Sequence, residues 1–143
     1  MDYYSIPISK VQLYNKKMTQ RGSNQYRISL GKWGEDCARK FLEMNGLNFL
    51  KKNVRSPHGE IDLIMKDGGT IVFVEVKTRA STENGYPEEA VTENKKNHLE
   101  NSISWYLEQN LEIGDDWRLD IVTVIGRPGA KDYPRIDWWQ NDF

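Results

Sequence analysis

Apolar residues recur at helical spacing over residues 30–45. At 100° per residue they form one apolar stripe, made of Leu30, Trp33, Cys37, Phe41 and Met44. Charged residues take the opposite face. Gly46 follows, and glycine commonly ends a helix because it adopts a left-handed backbone without strain. The pattern predicts an amphipathic helix packed against a core.

Shorter apolar runs in the rest of the chain predict strands. The expected strands are residues 47–55, 60–66, 70–79, 115–125 and 135–139. "SPHG" and "DGG" separate the first three as tight turns. A second, long helix is expected from about Pro87, with Glu88 and Glu89 in its first turn, to about Asn110. The order αβββαββ predicts an α/β fold in which helices flank a mixed central sheet.

Length and composition favour a single globular domain. The chain has 143 residues, 38% of them hydrophobic and 29% charged, and no apolar run approaches a membrane span. Residues 1–29 are polar without a clear period, so we expect a partly ordered extension before one domain at residues 30–143. The first residues lack a signal-peptide pattern, and the single Cys37 cannot form an internal disulfide. A cytoplasmic location is therefore expected.

Two charged residues interrupt the apolar strand expected at residues 70–79. Because side chains alternate along a strand, Glu75 and Lys77 share one face with Phe73. In the preceding strand Asp62 shares a face with Glu60 and Ile64. The short turn makes the two strands antiparallel neighbours, which predicts that Asp62 lies close to the Glu75–Lys77 pair.

Two carboxylates and a lysine on an apolar sheet are costly without partners. One cysteine and two histidines disfavour a zinc site, whereas carboxylate oxygens suit Mg²⁺ or Mn²⁺. A metal that activates water, beside a lysine facing a phosphoryl group, suits phosphodiester hydrolysis. An isolated Glu-x-Lys pattern is more often a structural ion pair, but Asp62 on the neighbouring strand favours a functional site.

Two other charged residues have alternative interpretations. Lys95 falls on the apolar stripe of the second helix, between Val91 and Leu99. It either extends outward to solvent or reaches over the sheet to a phosphate. Asp120, within an apolar strand, either pairs with Arg118 or a backbone amide, which we favour, or adds charge near the metal.

The net charge of −1 does not by itself indicate nucleic-acid binding. Basic residues nevertheless cluster, as in "KKNVR" at residues 51–55, "KTR" at 77–79 and "KK" at 95–96, while residues 100–116 are acidic. This distribution could steer a polyanion to one side. Charge alone favours an ordinary solvated surface.

Taken together, these residues resemble the PD-(D/E)xK nuclease superfamily, whose restriction-endonuclease-like or resolvase-like core has the order αβββαβ. Within it the chain is similar to the YraN-like family of predicted endonucleases of the Holliday-junction-resolvase type. The matching stretches are "GKWGEDCARKFLEMNGLNFLKKNVRSPHGEIDLI", "FVEVKTR", "GYPEEAV", "VTENKKNHL" and "RLDIVTVI".

The resemblance implies Asp62 and Glu75 as ligands of Mg²⁺ or Mn²⁺ and Lys77 as the catalytic lysine. It also implies Glu35 as an additional catalytic acid and Lys95 as an accessory residue. The expected function is a metal-dependent endonuclease acting on DNA, including branched DNA. The expected DNA contacts are Lys51, Lys52, Arg55, Arg79, Lys95 and Lys96.

Two other functions remain open from the sequence. One is a non-catalytic nucleic-acid-binding or adaptor module on the same fold, which the intact set of charged residues disfavours. The other is a structural protein with incidental ion pairs. If the substrate is a four-way junction, two active sites and hence a homodimer are expected.

Overall fold

The computed structural model describes residues 2–5, 30–83 and 92–141. Six strands form one sheet, and two α-helices pack against it. The strands are β1 (Asp2–Ser5), β2 (Asn48–Ser56), β3 (Gly59–Asp67), β4 (Thr70–Arg79), β5 (Trp117–Ile125) and β6 (Arg135–Gln140). The helices are α1 (Leu30–Met44) and α2 (Glu93–Gln109), and a short 3₁₀ helix follows at Leu111–Ile113.

The sheet has the order β1-β6-β5-β4-β3-β2. The pair β4–β5 is parallel and the other pairs are antiparallel. A parallel pair needs a crossover connection, and α2 lies in that connection. The predicted α/β class, with an αβββαβ core and a mixed sheet flanked by helices, is confirmed.

Each helix covers one hydrophobic cluster. The cluster under α1 includes Trp33, Cys37 and Phe41 from the predicted stripe, packed on Val72 and Val74 of β4. The cluster under α2 includes Leu99, Ile103 and Tyr106, packed on Ile64 and Phe73. Successive β4 residues therefore face opposite helices, which places both helices next to the charged end of this strand.

The second helix begins later than the sequence predicts. Thr92 has extended backbone angles and is its N-cap, because the side chain accepts a hydrogen bond from the N–H of Lys95. A start near Pro87 is therefore wrong. Pro87, Glu88 and Glu89 themselves lie outside the described residues.

The strand β1 was not predicted. It pairs antiparallel with β6, with Tyr3 opposite Trp139 and Tyr4 opposite Trp138, inside the segment expected to be an extension. The boundary at residues 29 and 30 stays a prediction. No helix in the described parts of the chain has the length and apolar character needed to cross a membrane.

Candidate active site

The candidate site lies where β3 and β4 separate. Their regular pairing ends with Leu63 opposite Val74. Beyond that point the backbone N–H of Val76 donates to Oδ2 of Asp62 at 2.8 Å. The side chain supplies the acceptor that the neighbouring strand no longer offers. The Asp62 carboxylate therefore lies in the gap between the strands, open to both faces of the sheet.

The two-residue alternation of β3 breaks at the same place. Ile61 and Ile64 pack in the same cluster under α2, although a regular strand would send them to opposite faces. On β2, Asn53 faces Asp62 between regular pairs and has a φ of 50°. The expectation that Asp62 shares the face of Ile64 stays a prediction, because the strand is irregular here.

The first helix brings Glu35 to this gap. At Gly34 the helix lies so close to β4 that a β-carbon would overlap the side chain of Thr78. Glu35 follows at once and accepts a hydrogen bond from Nδ2 of Asn53 at 2.9 Å. The expected orientation of Glu35 toward the sheet is confirmed, and the glycine makes the close approach possible.

Three carboxylates form one group. A ligand oxygen from each of Glu35, Glu60 and Asp62 lies within 4.8 Å of the others. The amide of Asn53 connects two of them, since it also donates to Oε1 of Glu60 at 2.9 Å. Glu60 was not proposed as a site residue from the sequence. Its position two residues before Asp62 in a strand was the available signal.

Glu75 and Lys77 of β4 also lie next to Asp62. The Lys77 Nζ is 2.9 Å from Oε1 of Glu75, and each side chain is 17% exposed. Asp62, Glu75, Lys77 and Lys95 line the same pocket. The structure thus brings together Asp62, Glu75 and Lys77, as the strand pattern predicted.

Burial and neighbouring acids raise the pKa values of two carboxyl groups. Burial, and then the charge of Glu75, raise the pKa of Asp62 to about 8 despite the Val76 N–H. Burial also raises the pKa of Glu35, with further contributions from Glu60 and Glu75. At neutral pH Asp62 therefore retains a proton that a cation could replace.

The neighbouring lysines shift in opposite directions. Burial disfavours the charged form of Lys77, but the adjacent Glu75 carboxylate outweighs it and raises the Lys77 pKa. The positive charge of Lys77 is the main reason that the Lys95 pKa is lowered. Lys95 is solvent-exposed, so it does not lie within the apolar stripe of α2. It lies in the first turn of the helix, four residues before Leu99.

A pocket of about 300 Å³ joins most of these groups. Its charged lining residues are Glu35, Asp62, Glu75, Lys77, Arg79 and Lys95. Lys52 lies in a neighbouring pocket with Glu35, on the α1 side. The described lining of these two pockets lacks Lys51, Arg55 and Lys96.

The remaining predicted DNA contacts are spread around the site. The Lys51 Nζ lies 5.4 Å from the ring centre of Tyr106. The Arg55 side chain is 91% exposed and approaches Glu60 at 3.9 Å. Lys96 is partly exposed on α2. Their roles in DNA binding stay predictions.

Asp120 belongs to a separate network. It is fully buried and accepts hydrogen bonds from Nε of Arg118, Nε1 of Trp138 and the backbone N–H of Asn141. The favoured interpretation, pairing with Arg118 and a backbone amide, is confirmed. Asp120 does not belong to the acid group, and its partners are Arg118, Trp138 and Asn141, so nothing in the described residues supports the alternative of added charge near the metal.

The donor set of the pocket fits a hard divalent cation. All candidate ligands are carboxylate oxygens, which Mg²⁺ and Mn²⁺ prefer. Oxygens on opposite sides of one Mg²⁺ are about 4.2 Å apart, so a group within 4.8 Å needs only small rotations. The group consists of Glu35, Glu60 and Asp62, whereas Glu75, the other ligand that the resemblance implies, does not belong to it.

Comparison with known proteins gives a family. The model of the "Uncharacterised protein family UPF0102" matches residues 34–124. A UPF0102 protein of Syntrophotalea carbinolica is 37% identical, covering 79% of this chain and 97% of the relative. A UPF0102 protein of Colwellia psychrerythraea is 36% identical, covering 92% and 99%. The matched region contains every residue of the candidate site, and the chain belongs to the UPF0102 family.

Proposed function

We propose that this protein is a nuclease that hydrolyses phosphodiester bonds in DNA with Mg²⁺ or Mn²⁺. The observation that carries the proposal is the convergence of Glu35, Asp62 and Glu75 beside Lys77 in one pocket, with Glu60 grouped with Glu35 and Asp62 at its edge. Four acids at the mouth of a strand gap are unfavourable by themselves, and a divalent cation would stabilise them. The resemblance to YraN-like predicted endonucleases supports the same conclusion.

Asp62 and Glu75 would hold the metal, with Glu35 and Glu60 within reach of it. Burial and the neighbouring Glu75 raise the pKa of Asp62, and a bound cation would favour its ionised form. When bound, the metal would supply Lewis acidity and a water of lowered pKa. Each acid then has a role that a purely structural ion pair does not explain.

Lys77 would stabilise the charge that develops on the phosphoryl group. Its ammonium lies 2.9 Å from Glu75. If Glu75 bound a cation, Lys77 would be able to face the phosphate from the edge of the pocket. Arg79 and Lys95, on the same pocket wall, would bind flanking phosphates.

A cleavage assay tests the proposal. The wild type and Asp62→Asn would be incubated with Mn²⁺ and a panel of DNA: single strand, duplex, flap and four-way junction. We expect cleavage of at least one substrate by the wild type and none by the variant. DNA binding without cleavage of any substrate would instead support the adaptor function on this fold.

Cleavage of a four-way junction needs a test of its own. Two symmetric cuts would require two copies of the site in a homodimer. Preferential cleavage of the junction together with a dimeric mass in solution would support that substrate.

A further inference from the structure

Both histidines of the chain lie on a second pocket next to the acid group. This pocket of about 220 Å³ is lined by His58 from the β2–β3 turn and His98 from α2. It shares Glu75, Lys77 and Lys95 with the first pocket. The two pockets therefore form one groove, with the lysines between them.

A chain of hydrogen bonds connects the backbones of the two histidine residues. The backbone N–H of His58 donates to the Ser56 hydroxyl at 3.1 Å, and this hydroxyl lies 2.8 Å from that of Ser102. The Ser102 hydroxyl in turn donates to the carbonyl of His98 at 2.9 Å. Ser102 is only 1% exposed, so the turn is anchored to the helix in a dry contact.

Charges in this pocket favour an anion over a cation. Its carboxylates already have partners, since Glu75 binds Lys77 and Glu60 accepts from Asn53. Lys95 lines both pockets together with another lysine, Lys77, whose charge is the main reason that the Lys95 pKa is lowered. Neighbouring like charges are unfavourable, and a phosphate between them would relieve the repulsion. Among the described residues, neither histidine belongs to a group with metal-ligand spacing.

Lys95 and His98 are spaced to contact one extended polyanion. Residues three apart on a helix have β-carbons about 5–6 Å apart on the same face. Lys95 lines both pockets, and His98 lines only the second one. A strand whose scissile phosphate lies at the acid group would therefore continue past Lys95 toward His98.

We propose that His58 and His98 form a subsite for the DNA phosphate that flanks the scissile one. This inference rests on the proposed nuclease function, and it assigns the two histidines as binding residues rather than catalytic ones. The serine pair, Ser56 and Ser102, connects the turn that carries His58 to the helix that carries His98. Neutral and charged imidazole both offer an N–H donor to a phosphate oxygen.

The first experiment measures binding without cleavage. Affinity for a labelled DNA oligonucleotide, as single strand and as duplex, would be measured with Ca²⁺ in place of Mg²⁺. We expect His98→Ala, and separately His58→Ala, to weaken the preferred form about tenfold, because each loses a hydrogen bond to a charged group. His98→Gln, which keeps an N–H donor, should recover most of the affinity.

The matched control is Asn97→Ala, an exposed position beside His98 that does not line the pocket. It should bind like the wild type. Unchanged affinity in both histidine variants, or no detectable DNA binding by the wild type, would overturn the subsite. An equal loss in the control would also overturn it, because the effect would then belong to the helix surface.

A second experiment separates the subsite from the chemistry. With Mn²⁺, the small diester bis(p-nitrophenyl) phosphate occupies only the scissile position. We expect His98→Ala to hydrolyse it like the wild type while its KM for DNA rises about tenfold. Equal losses on both substrates would contradict a binding subsite. Failure of the wild type to hydrolyse either substrate would refute the nuclease proposal, and the Ca²⁺ binding data would still decide the subsite.

Discussion

Asp62, which is partly buried, and Asp120 are two aspartates with opposite surroundings. Asp120 is fully buried and accepts from Arg118, Trp138 and Asn141. Asp62 has one backbone donor, Val76, and otherwise faces carboxylates. Burial is the leading cause of a raised pKa in both. The two aspartates differ in their nearest groups. Hydrogen-bond donors surround Asp120, whereas further acids lie around Asp62, where a cation would be favourable.

The two aspartates also differ in their access to a pocket. Asp62 lies in a gap between strands, on a pocket of about 300 Å³, whereas Asp120 lies under Trp138 in the core. A satisfied buried carboxylate contributes to the fold, and an unsatisfied one that opens to a pocket is a candidate for ligand binding. This contrast can be tested through stability, catalysis and DNA binding.

The largest expected effect is on stability at the satisfied site. Asp120→Ala would leave the Nε1 of Trp138 and part of Arg118 without their acceptor inside the protein. We expect a loss of about 3 kcal/mol in the free energy of unfolding, measured by urea denaturation. Asp115→Ala, at an exposed position nearby, is the control and should change it little. A loss below about 1 kcal/mol would show that the network is not structural.

The next effect concerns catalysis at the open site. Lys77→Ala should lose DNA cleavage by about a hundredfold or more, because its ammonium would act on the transition state. Metal and DNA affinities should stay within a few-fold of the wild type. Lys66→Ala, an exposed lysine on the neighbouring strand, should cleave normally. Equal losses of DNA binding and cleavage would make Lys77 a phosphate contact only.

A smaller effect of opposite sign is expected at Asp62. In metal-free protein Asp62→Asn keeps an acceptor for Val76 and removes the cost of holding this carboxyl protonated above its ordinary pKa, so it should stabilise at neutral pH by about 1–3 kcal/mol. The folded-state pKa of about 8 lies above the ordinary 3.8. Stability from the protonated carboxyl is therefore complete below about pH 4 and is lost as the pH rises to about 8.

The advantage of Asp62→Asn should grow across that pH window. Urea unfolding with chelator, at steps from pH 4 to pH 9, measures it. Adding Mg²⁺ should stabilise the wild type and leave the variant unchanged. A variant that is less stable than the wild type at every pH would place Asp62 with Asp120, among the satisfied carboxylates.

The smallest effect concerns the cations around the open site. Lys95→Met keeps the aliphatic part and removes the charge, so DNA affinity should fall and its salt dependence should flatten by about one unit of slope. Thermal stability should hold, since Lys95 is exposed. Lys131→Met, in an exposed loop, is the control. An unchanged slope for Lys95→Met would remove Lys95 from the DNA path.

Much of the fold could be predicted because the hydrophobic periods were clear. The stripe of α1 and the turn glycines gave strong local signals, and Gly46 does adopt a positive φ of 93°. The start of α2 was wrong because proline and acidic residues suit a first turn, yet the Thr92 hydroxyl caps the helix later. The strand β1 has no period of its own and depends on pairing with β6.

The candidate site was predicted in part for similar reasons. Strand alternation was enough to bring Glu75 and Lys77 together and to place Asp62 nearby. It could not show that Glu60 joins Glu35, because that contact depends on the irregular backbone at Asn53. The groove to His58 and His98 depends on the packing of α2 against a turn, which a local pattern does not encode.

Titration of Mn²⁺ into the protein by calorimetry tests the central claim most directly. The wild type, Asp62→Asn and Glu75→Gln would be compared at neutral pH, with Asp67→Asn, at the other end of β3, as the matched control. We predict one site in the wild type and in the control, with proton release on binding, and no binding in the other two variants. Wild-type affinity in Asp62→Asn or Glu75→Gln would contradict the assignment of this acid group as a metal centre.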